Sequence, residues 1–495
     1  MTVHTERLQD YKEFVGTVMK DWQVPGVAVG AVSADEVLFA EGFGKRDCEQ
    51  GLAVTPQTTF AIGSCTKAFV AMSLAMLVDE GKLEWDKPVR DYLPVFKLSD
   101  EVASERITVR DILSHRSGLP GHDALAYNAS IPVADLFRRL PYLELNKDMR
   151  TAWQYNNLMY AVAGHLIEAL SGLSWDNFIR QRILTPLGMS GTSFSVAEMQ
   201  QKTNDYALPY RIFNDKLERT RYYPKFEMLY GAAGAMNSNV EDMTKWLRCL
   251  LKESKYGDGE QRLVSAEQFK QLIEPHTIMQ RMSYTTTQYA EESTYCYTLG
   301  WWTFTYRGHR FVQHSGGIDG FSVLTTFLPD DNLGTVVLTN RQGHMVTTHG
   351  IFTFNLCERL LGLNELPVEE RSRQDYERVK EQLEQAQAMV EENRQASAPL
   401  SHPLSDYAGE YEHPAYGAFS LWLDKEGLKG LFNDLEYSFS HFHYDVFLVA
   451  QEEQDLPLHA MFTSNLEGKI ASFSLPLEPA ARPIIFQRST EKAGT

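Results

Sequence analysis

The sequence of 495 residues has few cysteines and no excess of positive charge. Its five cysteines are scattered without Cys-x-x-Cys spacing, which predicts neither a disulfide framework nor a zinc site and fits a reducing compartment best. Lys plus Arg total 47 against 65 Asp plus Glu, so the formal net charge of −18 repels phosphate backbones and anionic membranes. We therefore predict no nucleic-acid partner and no membrane partner.

Long hydrophobic runs are also missing. The N-terminal segment is polar and amphipathic where a secretory signal would carry an unbroken apolar stretch, and no run reaches the roughly 18 residues of a transmembrane helix. Hydrophobic residues nevertheless make up 43% of the chain and aromatic residues 12%, which is enough for substantial cores. These features predict a globular, cytoplasmic protein.

Strand patterns occur at both ends of the 1–363 segment, with mainly helical patterns between them. The two ends carry β-branched runs at 24–33, 36–44, 309–317, 320–329 and 333–340. This order predicts an α+β fold, in which one antiparallel sheet is assembled from both ends, flanked by helices and faced by an all-α insertion. Such a sheet would bring residue 64 close to the 309–317 strand.

The composition changes beyond residue 363. Residues 364–399 form a charged segment with one apolar helical stripe, which predicts a connecting helix more readily than a dimerising coiled coil because the stripe spans barely two heptads. Residues 400–495 alternate short apolar strands with Gly, Asp or Pro turns, the pattern of a small antiparallel β-barrel. A homo-oligomer is left open.

A Ser-x-x-Lys pair lies in the segment AIGSCTKA, residues 61–68. Helix geometry puts Ser64 and Lys67 on one face, so the lysine can reach the serine oxygen if desolvation keeps it partly neutral. The same pair would also suit a helix cap followed by a lysine whose stem is buried. A chain of this length contains on the order of one such pair by chance, so the motif needs support from elsewhere.

Two further segments supply that support. Tyr155 and Asn157 directly precede a strongly periodic helix, where loop side chains can project into a cleft. His314 ends a predicted strand and is followed by Gly316 and Gly317, which allow backbone N–H groups to approach a substrate closely.

The ordered set of Ser-x-x-Lys, Tyr-x-Asn and His-x-Gly resembles the serine penicillin-recognising superfamily of class C β-lactamases, D,D-carboxypeptidases, D-aminopeptidases and related esterases. LSHRSGLPG (113–121) and GAAGAMNS (231–238) add to the resemblance, which covers about residues 10–362. The segment DYAGEYEHPAYG (406–417) is similar to the lipocalin-like C-terminal domain found on many members of this group.

The resemblance implies a role for each residue. Ser64 would be acylated after activation by Lys67, Tyr155 would carry protons to the leaving group, and Asn157 would orient the lysine and the substrate amide. His314 would replace the lysine of the Lys-Thr-Gly motif, and backbone N–H groups of Ser64 and of the Gly316–Gly317 pair would form the oxyanion hole. No cofactor and no metal are expected.

The expected activity is that of a serine hydrolase forming an acyl-enzyme on an amide or ester, with a small peptide containing D-configured residues as substrate. An imidazole that titrates near neutrality in place of a permanent charge predicts weak β-lactamase activity. Two alternatives remain open. The acyl group could pass to an amine, as in a peptide-cyclising thioesterase or transpeptidase, or the chain could be an idle binding or assembly module.

Several other residues are expected to be structural. Cys65 points away from the pair and is predicted to pack in the core. Ser238 and Glu241 predict a capping box for the helix that follows them. His441 and His443 alternate on one predicted strand, but two ligands are too few for a stable zinc site.

Overall fold

The computed structural model describes residues 7–223, 225–258, 260–279, 289–293, 295–343, 348–395, 397–451 and 457–489. Its centre is a nine-stranded antiparallel sheet to which both ends of the 1–363 segment contribute. In spatial order the strands are Thr277–Ile278, Cys296–Tyr297, Trp302–Tyr306, His309–Ile318, Phe321–Leu328, Leu333–Thr339, Gly26–Val32, Val37–Asp47 and Leu52–Ala53. The predicted α+β sheet is therefore confirmed.

The N-terminal strand joins the two halves of this sheet. Val29 faces Val337 on one side and Glu41 on the other. Side chains alternate between the two faces, so Val29 packs towards helices Tyr11–Asp21 and Thr348–Leu361, while Ala28 belongs to the larger core on the opposite face. Both faces are covered, which explains why the strand is apolar throughout.

The helix that follows residue 64 lies in the larger core. One turn of 3₁₀-helix, Gly63–Cys65, runs directly into the α-helix Thr66–Asp79, whose first twelve residues are all buried. The helix Val240–Leu251 packs beside it, and the rings of Phe69 and Trp246 stack with centroids 4.3 Å apart. A helix buried on every side holds its first turn rigidly against the sheet.

The insertion between the two strand groups is mainly helical and also carries two short hairpins, Tyr210–Phe213 with Lys216–Arg219 and Lys255–Tyr256 with Gln261–Arg262. Its helices are Val89–Tyr92, Glu101–Arg106, Val109–Leu113, Val133–Arg139, Asn157–Ser171, Trp175–Ile179, Thr185–Leu187, Val196–Lys202, Phe226–Gly234, Val240–Leu251 and Ala266–Ile273.

One predicted helix cap is wrong by one residue. Asn239, not Ser238, caps the helix Val240–Leu251, and its side chain accepts a hydrogen bond from the Asp242 backbone N–H. Ser238 is held instead by a two-residue strand that pairs with Phe60–Ala61. This tertiary pairing fixes an extended backbone at Ser238 and delays the start of the helix.

The helix Val368–Glu392 follows the sheet, and only Asp375 is buried along it. Among the described residues, no helix combines the length and the apolar character needed to cross a membrane. The chain ends in a closed eight-stranded antiparallel barrel. Its strands are Gly409–His413, Gly417–Leu423, Leu428–Phe432, Leu435–His443, Val446–Gln451, Leu458–Ser464, Ile470–Leu475 and Ile484–Arg488.

Candidate active site

Ser64 lies in the short 3₁₀ turn at the start of the buried helix and is partly exposed to solvent. One helical turn later, the Lys67 side chain is completely buried, and its Nζ lies 2.9 Å from Ser64 Oγ. The Tyr155 hydroxyl donates a hydrogen bond of 2.7 Å to the same serine oxygen. The structure therefore brings the predicted hydroxyl, amine and phenol into direct contact.

Lys67 forms two hydrogen bonds besides its contact with the serine. Its Nζ donates to the Asn157 side-chain oxygen and to the Ala233 backbone carbonyl, both at 2.7 Å. Burial lowers the pKa of Lys67 from its usual value of 10.5 to about 7, and the charge of Asp123 opposes part of that change. The lysine is consequently close to half unprotonated at neutral pH.

Tyr155 is held by the histidine of the LSHRSGLPG segment. His115 is buried, its ring lies 4.4 Å from the Tyr155 ring, and its Nδ1 accepts a hydrogen bond of 3.1 Å from the Asn156 N–H. Its backbone adopts a left-handed conformation with φ of +55°, so the turn and the ring contact occur together.

The Tyr155 phenol is in its protonated form over the physiological range. Desolvation raises its pKa well above 10, and the hydrogen bond with Ser64 offsets only part of that effect. Tyr155 can therefore donate or relay a proton, while a phenolate at neutral pH is disfavoured.

His314 lies beside Tyr155, but both of its ring nitrogens contact other groups. Nδ1 is 2.6 Å from the Ser315 carbonyl oxygen and Nε2 is 2.9 Å from the Tyr297 hydroxyl. A carbonyl only accepts, so Nδ1 carries the proton and Nε2 accepts from Tyr297. Burial and the nearby Lys67 lower the pKa of His314 to about 3. The expectation that this imidazole titrates near neutrality is wrong, because the ring is desolvated and neutral.

Gly316 and Gly317 bring the strand His309–Ile318 against the turn that carries the serine. A Cβ on Gly316 would lie 1.9 Å from the Ile62 carbonyl oxygen, so only glycine permits this approach. Gly317 is exposed, and a Cβ on Gly63 would lie 3.0 Å from its backbone nitrogen. The Gly317 backbone nitrogen thus lies against the 3₁₀ turn that carries Ser64.

Sequence reasoning missed Asp123. Its Oδ1 accepts a hydrogen bond of 2.9 Å from Asn157 Nδ2, on the side of the amide opposite Lys67. The residue begins a short 3₁₀ turn, Asp123–Leu125, with no periodicity or motif to mark it. Cys65 matches its prediction, since it is buried and its Sγ donates to the His314 carbonyl oxygen at 3.2 Å.

Within the described ranges, no group of three or more His, Cys, Asp or Glu side chains could hold a metal ion. His441 Nε2 lies 2.9 Å from the Tyr444 carbonyl oxygen, and His443 Nδ1 accepts from the Gln395 N–H. A bulge separates these two histidines on their strand. The groups that contact one another at the site are a hydroxyl, an amine, a phenol and an amide.

Known proteins resemble this chain in fold and in sequence. The structure of the octameric penicillin-binding protein homologue from Pyrococcus abyssi superimposes with a TM-score of 0.63 at 22% identity, covering 97% of this chain and 100% of the other. At that identity the likeness concerns the fold. The barrel region, residues 393–488, matches a domain of unknown function, DUF3471.

Sequence relatives extend over most of the chain. The unguisins hydrolase ungD' of Aspergillus campestris (strain IBT 28561) is 31% identical over 441 residues, covering 84% of this chain and 78% of the relative. The unguisins hydrolase ungD of Aspergillus violaceofuscus (strain CBS 115571) is 30% identical over 444 residues, covering 84% and 76%. The beta-lactamase family profile matches residues 12–354, well over half of the sequence, and the chain belongs to the beta-lactamase family of serine hydrolases.

Proposed function

We propose that the protein hydrolyses amide or ester substrates through an acyl-enzyme on Ser64, with small peptides containing D-configured residues as the favoured class. The observation that carries this proposal is the set of three contacts made by Lys67 Nζ. Two of them go to oxygens that can only accept, on Asn157 and Ala233, and the third goes to Ser64 Oγ.

This arrangement supports lysine as the general base. A neutral amine has two N–H bonds and one lone pair, and the Asn157 and Ala233 oxygens use the two N–H bonds. The lone pair is then directed at Ser64 Oγ and can accept its proton. In the ammonium form the same position is filled by a third N–H, so loss of one proton turns a donor to Ser64 into its base.

The reaction follows from these positions. Ser64 Oγ attacks the substrate carbonyl carbon as its proton passes to Lys67, which forms a C–O bond and a tetrahedral oxyanion. Collapse breaks the bond to the leaving amine or alcohol, which takes the proton from Lys67 through the Tyr155 hydroxyl. Water then attacks the ester carbon, its proton returns by the same route, and the acid leaves with Ser64 restored.

The backbone N–H groups of Ser64 and Gly317 are proposed as the oxyanion hole. The exposure of Gly317 and the closeness of its nitrogen to residue 63 support this assignment. Gly316 serves a different purpose, because its missing side chain lets the strand reach the Ile62 carbonyl. Two fixed donors aimed at the developing charge typically contribute several kcal/mol to an acyl transfer.

The neutral His314 bears on substrate choice. A β-lactamase or a carboxypeptidase must hold a substrate carboxylate, and a ring with both nitrogens engaged and a pKa near 3 offers no charge for that purpose. We therefore propose substrates without an obligatory carboxylate beside the scissile bond, and weak or no turnover of penicillins. Esters, peptide amides and internal or cyclic peptide bonds meet this condition.

Hydrolysis is preferred to acyl transfer because two relatives are named hydrolases. Product masses from a linear activated peptide distinguish the two, since cyclisation by acyl transfer leaves no free acid end. The intact contacts among Ser64, Lys67 and Tyr155 argue against an idle module. The location in the cytoplasm, the 364–399 segment as a linker and the lipocalin-like nature of the barrel stay predictions.

The test of the proposal is covalent labelling. Wild-type protein and the Ser64→Ala variant are exposed to a fluorescent fluorophosphonate, and the labelled residue is located by peptide mass spectrometry. Labelling of the wild type at Ser64 and none of the variant is expected. Equal labelling of the two proteins would remove Ser64 as the nucleophile.

A further inference from the structure

The direction in which the Asn157 amide points decides what Lys67 can do. With its oxygen towards Lys67, the amide takes one N–H and leaves the lone pair for Ser64. With its nitrogen towards Lys67, the amide would instead require the lone pair, and no acceptor would remain for the serine proton. The two orientations have the same shape, so packing alone does not choose between them.

Asp123 makes that choice. Its Oδ1 accepts from Asn157 Nδ2 at 2.9 Å, and a carboxylate cannot donate to the amide oxygen in return. The hydrogen bond therefore turns the oxygen of Asn157 to the opposite side, where Lys67 Nζ lies 2.7 Å away. The contact is charge-assisted, which makes it stronger than a neutral hydrogen bond.

The segment that carries Asp123 is held by the C-terminal barrel. The N–H of His122 donates to Glu478 Oε2 at 2.6 Å, and His122 Nδ1 lies 2.8 Å from the Tyr416 hydroxyl. On the other side of Asp123, the Asn433 side chain donates to the Ala124 carbonyl oxygen at 3.0 Å. Glu478, Tyr416 and Asn433 all lie in loops between barrel strands, so both chain neighbours of Asp123 are held by contacts with the barrel.

We propose that Asp123, held in place by the barrel through Glu478, is a positioning residue that orients Asn157 so that the lone pair of Lys67 faces Ser64. The inference rests on the proposed acyl-enzyme function. It gives the barrel a part in catalysis although no described residue of the barrel forms a hydrogen bond with the serine or the lysine.

The charged and titratable groups around Lys67 set the expected pH behaviour. Those facing it are Cys65, His115, Asp123, Tyr155, Tyr160 and His314. His115 and His314 are neutral because burial lowers their pKa values, and the thiol and phenols are protonated because burial raises theirs. Burial raises the pKa of Asp123, and the Asn157 hydrogen bond and the charge of Lys67 oppose that rise. In its ionised form Asp123 is the member of this set that supplies a negative charge, with Glu478 behind it.

The experiment measures the second-order rate of fluorophosphonate labelling from pH 5 to 9, together with thermal unfolding. Variants Asp123→Asn and Glu478→Gln are compared with Asp135→Asn and Glu426→Gln. These two controls alter a half-buried carboxylate paired with Arg138 and an exposed one paired with Lys429, both away from the site. The reagent carries no amine, so a loss of labelling cannot come from a lost substrate contact to Asp123.

For Asp123→Asn we expect the plateau rate to fall about tenfold, the loss typical of a charge-assisted hydrogen bond. The pH of half-maximal rate should also move down by about 0.5 unit or more, because the negative charge that favours protonated Lys67 is gone. Glu478→Gln should lower the plateau by a smaller factor, and the two control variants should match the wild type.

Three results would overturn the inference. One is an unchanged plateau and pH profile in Asp123→Asn. Another is a lower plateau rate with an unchanged pH of half-maximal rate, which would indicate that Asp123 only supports the structure. The third is normal labelling combined with poor hydrolysis of aminoacyl nitroanilides, which would make Asp123 a substrate-binding group.

Two safeguards keep these outcomes distinct. If Asp123→Asn lowers the thermal midpoint strongly, the Glu478→Gln variant is used to test the inference instead. A plateau rate of Glu478→Gln equal to that of Glu426→Gln would then refute the role of the barrel. Failure of the proposed function has a different signature, since the wild-type protein itself would then not be labelled at Ser64.

Discussion

The pH dependence of Ser64 acylation is the most direct consequence of the burial of Lys67. The active form is the unprotonated amine, so the rate should rise with pH and reach half its maximum at the lysine pKa of about 7. At pH 5.5 the unprotonated fraction is about 3%, which predicts a rate about thirtyfold below the plateau. Between pH 8 and 9 the rate should be nearly constant.

The size of the effect follows from the pKa change. A lysine at its usual pKa of 10.5 would be about 0.03% unprotonated at pH 7, so burial raises the fraction of usable base by about three orders of magnitude. The same change corresponds to about 5 kcal/mol between the two protonation states. The desolvated position of Nζ, between Asn157 and Ala233, supplies this difference.

The assay is stopped labelling with a fluorophosphonate whose own stability is checked at each pH, with Ser64→Ala as background. A single acid limb near pH 7 supports Lys67 as the base. A limb at pH 9 or higher would refute the reasoning, because it would indicate a solvated lysine or the Tyr155 phenolate, whose pKa lies well above 10.

Three other predictions concern the residues around the site. Gly316→Ala should abolish labelling and lower the thermal midpoint by about 5 °C, since its Cβ would meet a backbone oxygen at 1.9 Å. Gly317→Ala keeps its backbone N–H and has open space at its Cβ, so it should stay close to wild type in both measurements. Equal behaviour of the two variants would contradict the close approach of strand and turn. His314→Gln should leave the acid limb of the labelling profile in place, because the imidazole is already neutral; a shift of more than about half a unit would show that it carries charge. Asn239→Ala should cost about 1 kcal/mol of unfolding free energy in urea as a lost helix cap, and Glu241→Ala only a few tenths; the reverse order would restore the capping box expected from the sequence.

Much of the fold can be predicted from local patterns. The β-branched runs near both ends of the 1–363 segment predict strands. Because strands need neighbours for their backbone hydrogen bonds, the runs predict one shared sheet as well. The short strands after residue 400 likewise predict the barrel. The cap at Asn239 is missed because the backbone of Ser238 is set by a partner strand almost 180 residues earlier in the chain.

The residues of the candidate site also fall into those that the sequence identifies and one that only the structure identifies. Ser64, Lys67, Tyr155 and Asn157 are identified by motifs, and the structure brings their side chains into contact. Asp123 is not identified, because a single carboxylate at the start of a three-residue 3₁₀ turn has no periodicity and no spacing to mark it. The proposed role of Asp123 depends on the orientation of the Asn157 side-chain amide.

The sequence by itself determined which chemical groups are available, which helix carries the serine, and that both ends of the 1–363 segment build one sheet. Only the tertiary structure decided the protonation states of Lys67 and His314, the orientation of Asn157 and the contact of the barrel with the 122–124 segment. The physical reason is that covalent identity and local backbone preference are written residue by residue, whereas desolvation and hydrogen-bond direction depend on groups brought together from hundreds of residues apart.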